Sequence, residues 1–138
     1  MAPDDTSMIK MIEAIMQPAG QGGLLEDGMV RRYHVTETKD GLKGEEGTFN
    51  MCSFWLVEAL TRAGRSDPEL LGRAHVLFQK MLTHSNHLGL YSEEVGVTGE
   101  PLGNMPQALA HLAFISAAVN LDRALDERAG SRPWGAGG

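Results

Sequence analysis

Two apolar stripes at helical spacing, separated by only a few residues, restrict this chain to helical hairpins. The first stripe covers residues 48–63 and consists of Phe49, Cys52, Trp55, Leu56, Ala59 and Leu60. The second consists of Leu70, Leu71, Ala74, Leu77, Phe78 and Met81. Gly64 is suited to end the first helix, Ser66 and Asp67 can cap the second, and Pro68 fits its first turn. Because the connection is short, the sequence predicts an antiparallel pair.

Two further helices are predicted, one on each side of this hairpin. The N-terminal one carries Met8, Met11, Ile12, Ile15 and Met16 on one face. The last runs from about Met105 to Asp126, with Pro106 in its first turn. Its apolar positions surround much of the circumference, which predicts burial on more than one side: Leu109, Leu112, Ala113, Ile115, Ala117 and Val119.

These patterns predict an all-α domain over residues 1–129. Residues 28–35 are β-rich in composition and predict a short extended segment. Residues 130–138 have no core pattern and predict a flexible tail. With 138 residues, 42% of them hydrophobic, the chain has the size and composition of one packed domain.

Composition also bears on partners and compartment. A formal net charge of −6 argues against nucleic acid, because phosphate binding needs a basic face. No apolar run approaches the roughly 18 residues of a membrane span, and the acidic N-terminus lacks a signal-peptide pattern. The single cysteine, Cys52, has no basic neighbour in the sequence and is expected to be a packing residue. We therefore expect a cytoplasmic protein.

No cofactor or metal site is expected. The sequence contains no Walker loop, dinucleotide fingerprint or nucleophile elbow. His84 and His87 lie three residues apart near a helix end, and no third ligand accompanies them. This pair therefore favours surface histidines over metal ligands.

Adjacent glutamates lie in two Gly-rich loops. Residues 89–103 contain Glu93 and Glu94, and residues 41–47 contain a second Glu-Glu pair. In an up-down trace both loops join helices at the same end, so the two carboxylate pairs should share one rim. Solvated surface glutamates are the alternative interpretation.

Two segments resemble a known family. Residues 46–60 read EGTFNMCSFWLVEAL, and the Gly-Leu-Tyr-Ser-Glu-Glu of 89–94 is followed by GNMPQALAH at 103–111. Both motifs, in this order, resemble bacterial proteins of glycoside hydrolase family 15, which includes glucoamylases, glucodextranases and trehalases. The resemblance covers roughly residues 8–126, and matches the C-terminal end of the family's (α/α)6 toroid.

The resemblance implies hydrolysis of an α-linked glucose oligosaccharide or disaccharide with inversion. It makes Glu93 the general base, which takes a proton from the attacking water, and Glu46 a sugar-contacting residue. Glu94 is expected to orient the loop or to contact sugar hydroxyls. Trp55 could stack on a sugar face or belong to the core. Asn104 could be a cap or part of the polar wall of the binding site.

The family's general acid lies in a Trp-Glu setting, which this chain lacks. Trp55 is followed by Leu56, and Trp134 by Gly135. Inversion requires both an acid and a base. The sequence therefore predicts the C-terminal portion of a hydrolase, inactive alone. The alternative is a non-enzymatic helical module that self-associates through the exposed flank of an incomplete barrel.

Overall fold

The α2–α3 hairpin forms the centre of the fold. The computed structural model describes residues 5–33 and 47–130, and in it α2 spans Asn50–Ala63 and α3 spans Pro68–Leu82. Asp67 caps α3 by accepting a hydrogen bond from the Glu69 amide at 2.9 Å. The predicted helical hairpin, with Pro68 at the start of α3, is confirmed.

Gly64 ends α2 in a different way from the one predicted. Its backbone is right-handed, with φ of −71°, and its amide donates to the carbonyl of Leu60 at 2.7 Å. What requires glycine is space: a Cβ at this position would lie 2.5 Å from the backbone nitrogen of Leu71. The missing side chain therefore lets α3 approach the end of α2 closely.

The other elements surround this hairpin. The N-terminal helix α1 spans Thr6–Ile15, and a 3-10 turn follows at Ala19–Gln21. Strands β1 (Leu25–Glu26) and β2 (Met29–Val30) form an antiparallel hairpin, which is tied to α2 because the Val30 amide donates to Ser53 Oγ at 2.9 Å. The extended segment predicted near 28–35 is thus confirmed where it is described. Residues 34 and 35 lie outside the described part.

A three-stranded sheet not predicted from the sequence links the start of α2 to the 89–103 loop. Strand β3 (Thr48–Phe49) pairs with β4 (Glu94–Val95), which pairs with β5 (Pro101–Leu102), all antiparallel. Strands of two residues are too short to show an alternating pattern, so this sheet could not be predicted from the sequence. It places Gly47, the end of the 41–47 loop, beside Glu94. The second glutamate pair, expected on the same rim, lies outside the described residues, so the shared rim stays a prediction.

Helix α4 spans Ala108–Ala129, beginning three residues later than predicted. Pro106 precedes the helix, in a cis peptide bond with Met105. Gln107 has extended backbone angles and its side chain accepts a hydrogen bond from the Ala110 amide at 2.6 Å, so Gln107 is the N-cap. Both α2 and α4 begin beside the 91–93 segment and run in the same direction.

The prediction that α4 is buried on more than one side is wrong for this chain. The side that packs is a stripe of small residues and one leucine: Ala110, Ala113, Ala117, Leu121 and Ala124. Four large apolar residues on its other side are exposed, namely Leu109, Leu112, Ile115 and Val119. We call these four residues the α4 stripe. They are exposed because α2 packs on one face of α4 and little of the described chain covers the opposite face.

By length and composition α4 would pass as a membrane span, as the core helix of a soluble protein also can. It contacts α2 through a polar cluster: Glu58 accepts hydrogen bonds from Ser116 Oγ at 2.9 Å and from Asn120 Nδ2 at 3.3 Å.

The core lies where α2, α3 and α4 meet. Phe54, at 0% exposure, contacts the rings of Phe78, Tyr91 and Phe114. Its neighbour Trp55 is 55% exposed, so the interpretation of Trp55 as a core residue is wrong. The all-α class with a small extended segment is confirmed. The (α/α)6 toroid and the 1–129 domain stay predictions, and residues 131–138 of the expected tail lie outside the described part.

Candidate active site

Glu93 lies at the junction of three elements. Its amide donates to the carbonyl of Asn104 at 2.9 Å, and its own carbonyl accepts from the amide of Asn50 at 3.1 Å. Asn50 is the first residue of α2, so the backbone of Glu93 is fixed against a helix N-terminus on one side and the segment that follows β5 on the other. The antiparallel pair of β4 and β5, together with the start of α2, thus holds Glu93 in a fixed position.

The carboxylate of Glu93 is held by one of its two oxygens. Oε2 accepts hydrogen bonds from the Asn104 backbone amide at 3.3 Å and from Asn104 Nδ2 at 3.2 Å. Oε1 has no hydrogen-bond partner among residues 5–33 and 47–130. Among the described residues, one oxygen of the carboxylate is therefore anchored and the other is not.

Gly103 allows this arrangement. It has φ of +71°, in the left-handed region where glycine is favoured. A Cβ there would come within 2.8 Å of Glu93 Oε2 and 2.9 Å of Glu93 Cβ. A larger residue at position 103 would therefore displace the carboxylate.

Glu94 fastens the loop to β3. Its Oε2 accepts a hydrogen bond from the Gly47 amide at 3.2 Å, and its carbonyl accepts one from Ser92 Oγ at 2.7 Å. Its backbone pairs with Phe49 across the sheet. The expectation that Glu94 orients the loop thus has a structural basis in these contacts, and its expected contact with sugar stays a prediction.

A buried and a partly buried polar residue hold the segment that precedes Glu93. Asn50, with 0% exposure, donates from Nδ2 to the carbonyl of Ser92 at 2.8 Å. His111 on α4 accepts at Nε2 from the amide of Tyr91 at 3.2 Å, while its Nδ1 lies 2.7 Å from the carbonyl of Gln107. A carbonyl can only accept, so Nδ1 carries the proton and the imidazole is neutral in this arrangement. These two hydrogen bonds fix the tautomer of His111.

The sequence-predicted site residues are only partly brought together. Glu93 and Asn104 are in direct contact, and Glu94 lies next to them. Trp55 is on α2, exposed, with no ring contact to any aromatic residue in the described part. Glu46 lies outside the described residues. Asn50 and Gly103 were missed as supports of Glu93, because an asparagine at a helix start and a glycine in a loop are both common.

Cys52 is not an activated thiol. Burial raises the pKa of the Cys52 thiol, and the positive charge of Arg32 opposes that effect. The sequence-based view that no basic residue neighbours Cys52 is therefore wrong, since Arg32 approaches it in space. Burial is nevertheless the larger cause, which keeps the thiol protonated at neutral pH.

His84 is expected to make stability fall in acid. Burial and the charge of Lys80 lower the pKa of His84 below its ordinary value, and Asp27 partly opposes them. A histidine with a depressed pKa in the folded state contributes stability that is present above about pH 6.5, its unfolded value, and is lost as the pH falls through the folded value.

Urea unfolding of wild type and His84→Gln between pH 7.5 and 5 tests this expectation. The free energy of unfolding should fall more steeply with acid in wild type than in the variant. Exposed His75 provides the control, and His75→Gln should follow wild type. Identical pH profiles for wild type and His84→Gln would contradict the assignment.

No group of three metal-ligating side chains occurs in the part of the chain that the structure describes.

Comparison with known proteins gives one family. The family model described as glycosyl hydrolases family 15 matches residues 1–119. A trehalase of Mycobacterium tuberculosis is 46% identical over 128 residues, covering 92% of this chain and 17% of that protein. A trehalase of Mycolicibacterium smegmatis is 51% identical over 105 residues, covering 75% of this chain and 15% of that protein.

A third relative shows the same relation. A trehalase of Thermoplasma volcanium is 44% identical over 107 residues, covering 76% of this chain and 16% of that protein. The chain therefore spans about one sixth of the length of the curated relatives it matches. No solved structure matches it.

Proposed function

Because this chain belongs to glycosyl hydrolases family 15, we propose that it is the C-terminal portion of an inverting α-glucoside hydrolase. The three relatives described above are trehalases, which makes trehalose, a disaccharide of glucose, the first substrate to test. The glucose oligosaccharides of glucoamylases come second. In this proposal the chain contributes one wall of the site and the general base.

The observation that carries the proposal is the state of the Glu93 carboxylate. A general base needs an ionised oxygen that can reach a water molecule, on a group that does not move during the reaction. Glu93 has an anchored Oε2, an Oε1 without a partner in the described part, and a backbone fixed by Asn50 and Asn104. Oε1 is the oxygen that would take the proton.

The reaction also needs a group that protonates the leaving oxygen. In inverting enzymes the two carboxyl groups are about 6.5–9.5 Å apart, which leaves room for the attacking water. The chain has no Trp-Glu pair to provide the family's acid. We therefore expect the acid to come from the portion of a complete hydrolase that this chain does not match, and the chain alone to release no glucose from trehalose.

Three other residues have proposed contacts with sugar. Trp55 is exposed on α2 and could stack on a glucose ring. Glu94 is the residue after Glu93 in the loop. Glu46 belongs to the family motif at residues 46–60, which continues into α2. The structure supports accessibility for Trp55 and proximity to Glu93 for Glu94.

Glu93→Gln in a chimera is the decisive experiment. The matching segment of the Mycolicibacterium smegmatis trehalase, which is 51% identical, would be replaced by this chain. The chimera should hydrolyse trehalose to one equivalent each of β- and α-glucose, because the attacked anomeric carbon inverts while the leaving glucose keeps its α configuration. Glu93→Gln should lower kcat by about 10²–10⁴-fold, since a general base contributes on that order. Coupled glucose release and early NMR spectra measure both quantities.

Glu100→Gln provides the matched control. Glu100 lies in the turn between β4 and β5, is exposed, and its carboxylate accepts hydrogen bonds from the backbone amide and the hydroxyl of Thr98. Its substitution should leave kcat unchanged. Activity in the Glu93→Gln chimera equal to that of the parent would exclude Glu93 as the base. Hydrolysis by the isolated chain would show that the acid is present in it.

The α4 stripe favours a second candidate function, self-association of a non-enzymatic helical module. Its four exposed apolar residues lie on one side of a 22-residue helix, and contiguous patches of this kind occur at protein interfaces. Light scattering on the purified chain separates the candidates, because this reading requires an oligomer. A monomer that remains monomeric at high concentration would exclude it.

A further inference from the structure

We propose that Asn104 is a positioning residue for Glu93, and that it selects which carboxylate oxygen acts as the base. The sequence left Asn104 as either a cap or part of the polar wall of the binding site. The structure instead directs two of its hydrogen-bond donors at the carboxylate itself. The inference rests on the proposed function of Glu93 as general base.

Asn104 forms hydrogen bonds with both the backbone and the side chain of Glu93. The carbonyl of Asn104 accepts the Glu93 amide at 2.9 Å, while its own amide and its Nδ2 both donate to Oε2 at 3.3 and 3.2 Å. Three hydrogen bonds thus join these two residues, which are eleven positions apart. Hydrogen bonds to a charged carboxylate are stronger than those to a neutral acceptor, so these contacts hold the carboxylate of Glu93 in one orientation.

The two oxygens of Glu93 become different as a result. Rotation of the carboxylate by half a turn would exchange them, but it would break and remake both bonds to Oε2. The backbone of Gly103 limits movement of the carboxylate in the other direction. It lies so close to Glu93 that a Cβ on Gly103 would come within 2.8 Å of Oε2. Oε2 is held against the 103–104 backbone, and Oε1 is directed away from it. The water that attacks the sugar would therefore be activated by Oε1.

The kinetic test compares two substitutions of Asn104 in the trehalase chimera. Asn104→Ala removes one donor, whereas Asn104→Asp keeps the shape, removes the same donor and places a second negative charge beside Glu93. If Asn104 only filled space, the isosteric aspartate would be the milder change. Positioning predicts the reverse order: kcat lower by about 10-fold for alanine and about 100-fold for aspartate, with KM within twofold of the parent.

Asn120→Asp is the matched control. Asn120 also donates from Nδ2 to a glutamate carboxylate, that of Glu58, between α2 and α4 and away from the 93–104 segment. Its substitution should leave kcat unchanged at temperatures where the chimera is folded. A rise in KM with kcat unchanged in the Asn104 variants would overturn the proposal in favour of direct sugar contact.

A second measurement uses this chain alone and does not depend on activity. In an NMR pH titration, the side-chain amide protons of Asn104 should shift as Glu93 ionises, and this shift should vanish in Glu93→Gln. The amide of Asn120 should respond identically in both proteins. An Asn104 amide that does not respond to Glu93 would overturn the positioning role.

The two proposals fail in different ways. If the Glu93→Gln chimera keeps full activity, the base assignment is wrong whatever Asn104 does. If Glu93→Gln is inactive while Asn104→Asp retains the parental kcat, the base assignment stands and only the positioning role is excluded.

Discussion

Phe54→Ala should lower the free energy of unfolding by about 3–5 kcal/mol, the usual cost of removing a large buried aromatic side chain. Phe54 has 0% exposure, and its ring centroid lies 5.1 Å from that of Tyr91 and 5.4 Å from that of Phe114. It joins α2 to α4 and to the segment that precedes Glu93. Alanine would leave a cavity at the point where these elements meet.

Urea unfolding followed by circular dichroism measures this loss, with Trp55→Ala as the control. Trp55 is the next residue on α2, is larger, and is 55% exposed. Its substitution should cost less than about 1 kcal/mol, because surface changes away from packed features have small effects. Equal losses for the two variants would show that α2 is rotated relative to the structure described above.

Gly64→Ala should destabilise the chain by about 1–3 kcal/mol, although its backbone angles suit alanine. With φ of −71° there is no conformational penalty. The obstacle is the backbone of α3, since the added Cβ would lie 2.5 Å from Leu71 nitrogen and 2.7 Å from Leu71 Cα. Backbone atoms cannot move aside as a flexible side chain can, so the α2–α3 hairpin must open.

Gly72→Ala gives the opposite expectation from the same chemical change. Gly72 lies within α3, and a Cβ there meets nothing within 4 Å. Alanine should stabilise the helix by about 0.5–1 kcal/mol, because glycine loses more backbone entropy on folding. Thermal melts of both variants test the pair. A stabilised Gly64→Ala variant would contradict the close approach of α3.

The helices could be predicted because each carries its own signal. Asp67 and Pro68 mark the start of α3, and the spacing of its apolar residues gives one buried face. The packing of α4 could not be predicted in this way. Its sequence is apolar on several sides, and only the arrangement of α2 decides that the alanine stripe is buried while Leu112 and Ile115 are exposed.

The candidate site follows from the sequence motif, whereas its geometry could not be predicted. The family resemblance selected Glu93 and Asn104 separately, but nothing local indicates that residues eleven positions apart share three hydrogen bonds. The aromatic pair on α2 shows the same limit. Phe54 and Trp55 are adjacent aromatic residues, and the sequence pattern does not decide which of them faces the core. Rotation of α2 about its axis by one residue would bury Trp55 and expose Phe54.

The pairing of β3 with β4 has a consequence for the order of folding. Thr48 and Val95 are partners across a loop that contains all of α2 and α3. Closing this long loop costs more chain entropy than closing the short turn between α2 and α3, and that entropy is lost before the strand contacts stabilise the chain. We therefore expect the helical hairpin to form first and the strands to pair later. A chain emerging from the ribosome would thus acquire its helices before the strands that hold Glu93 pair.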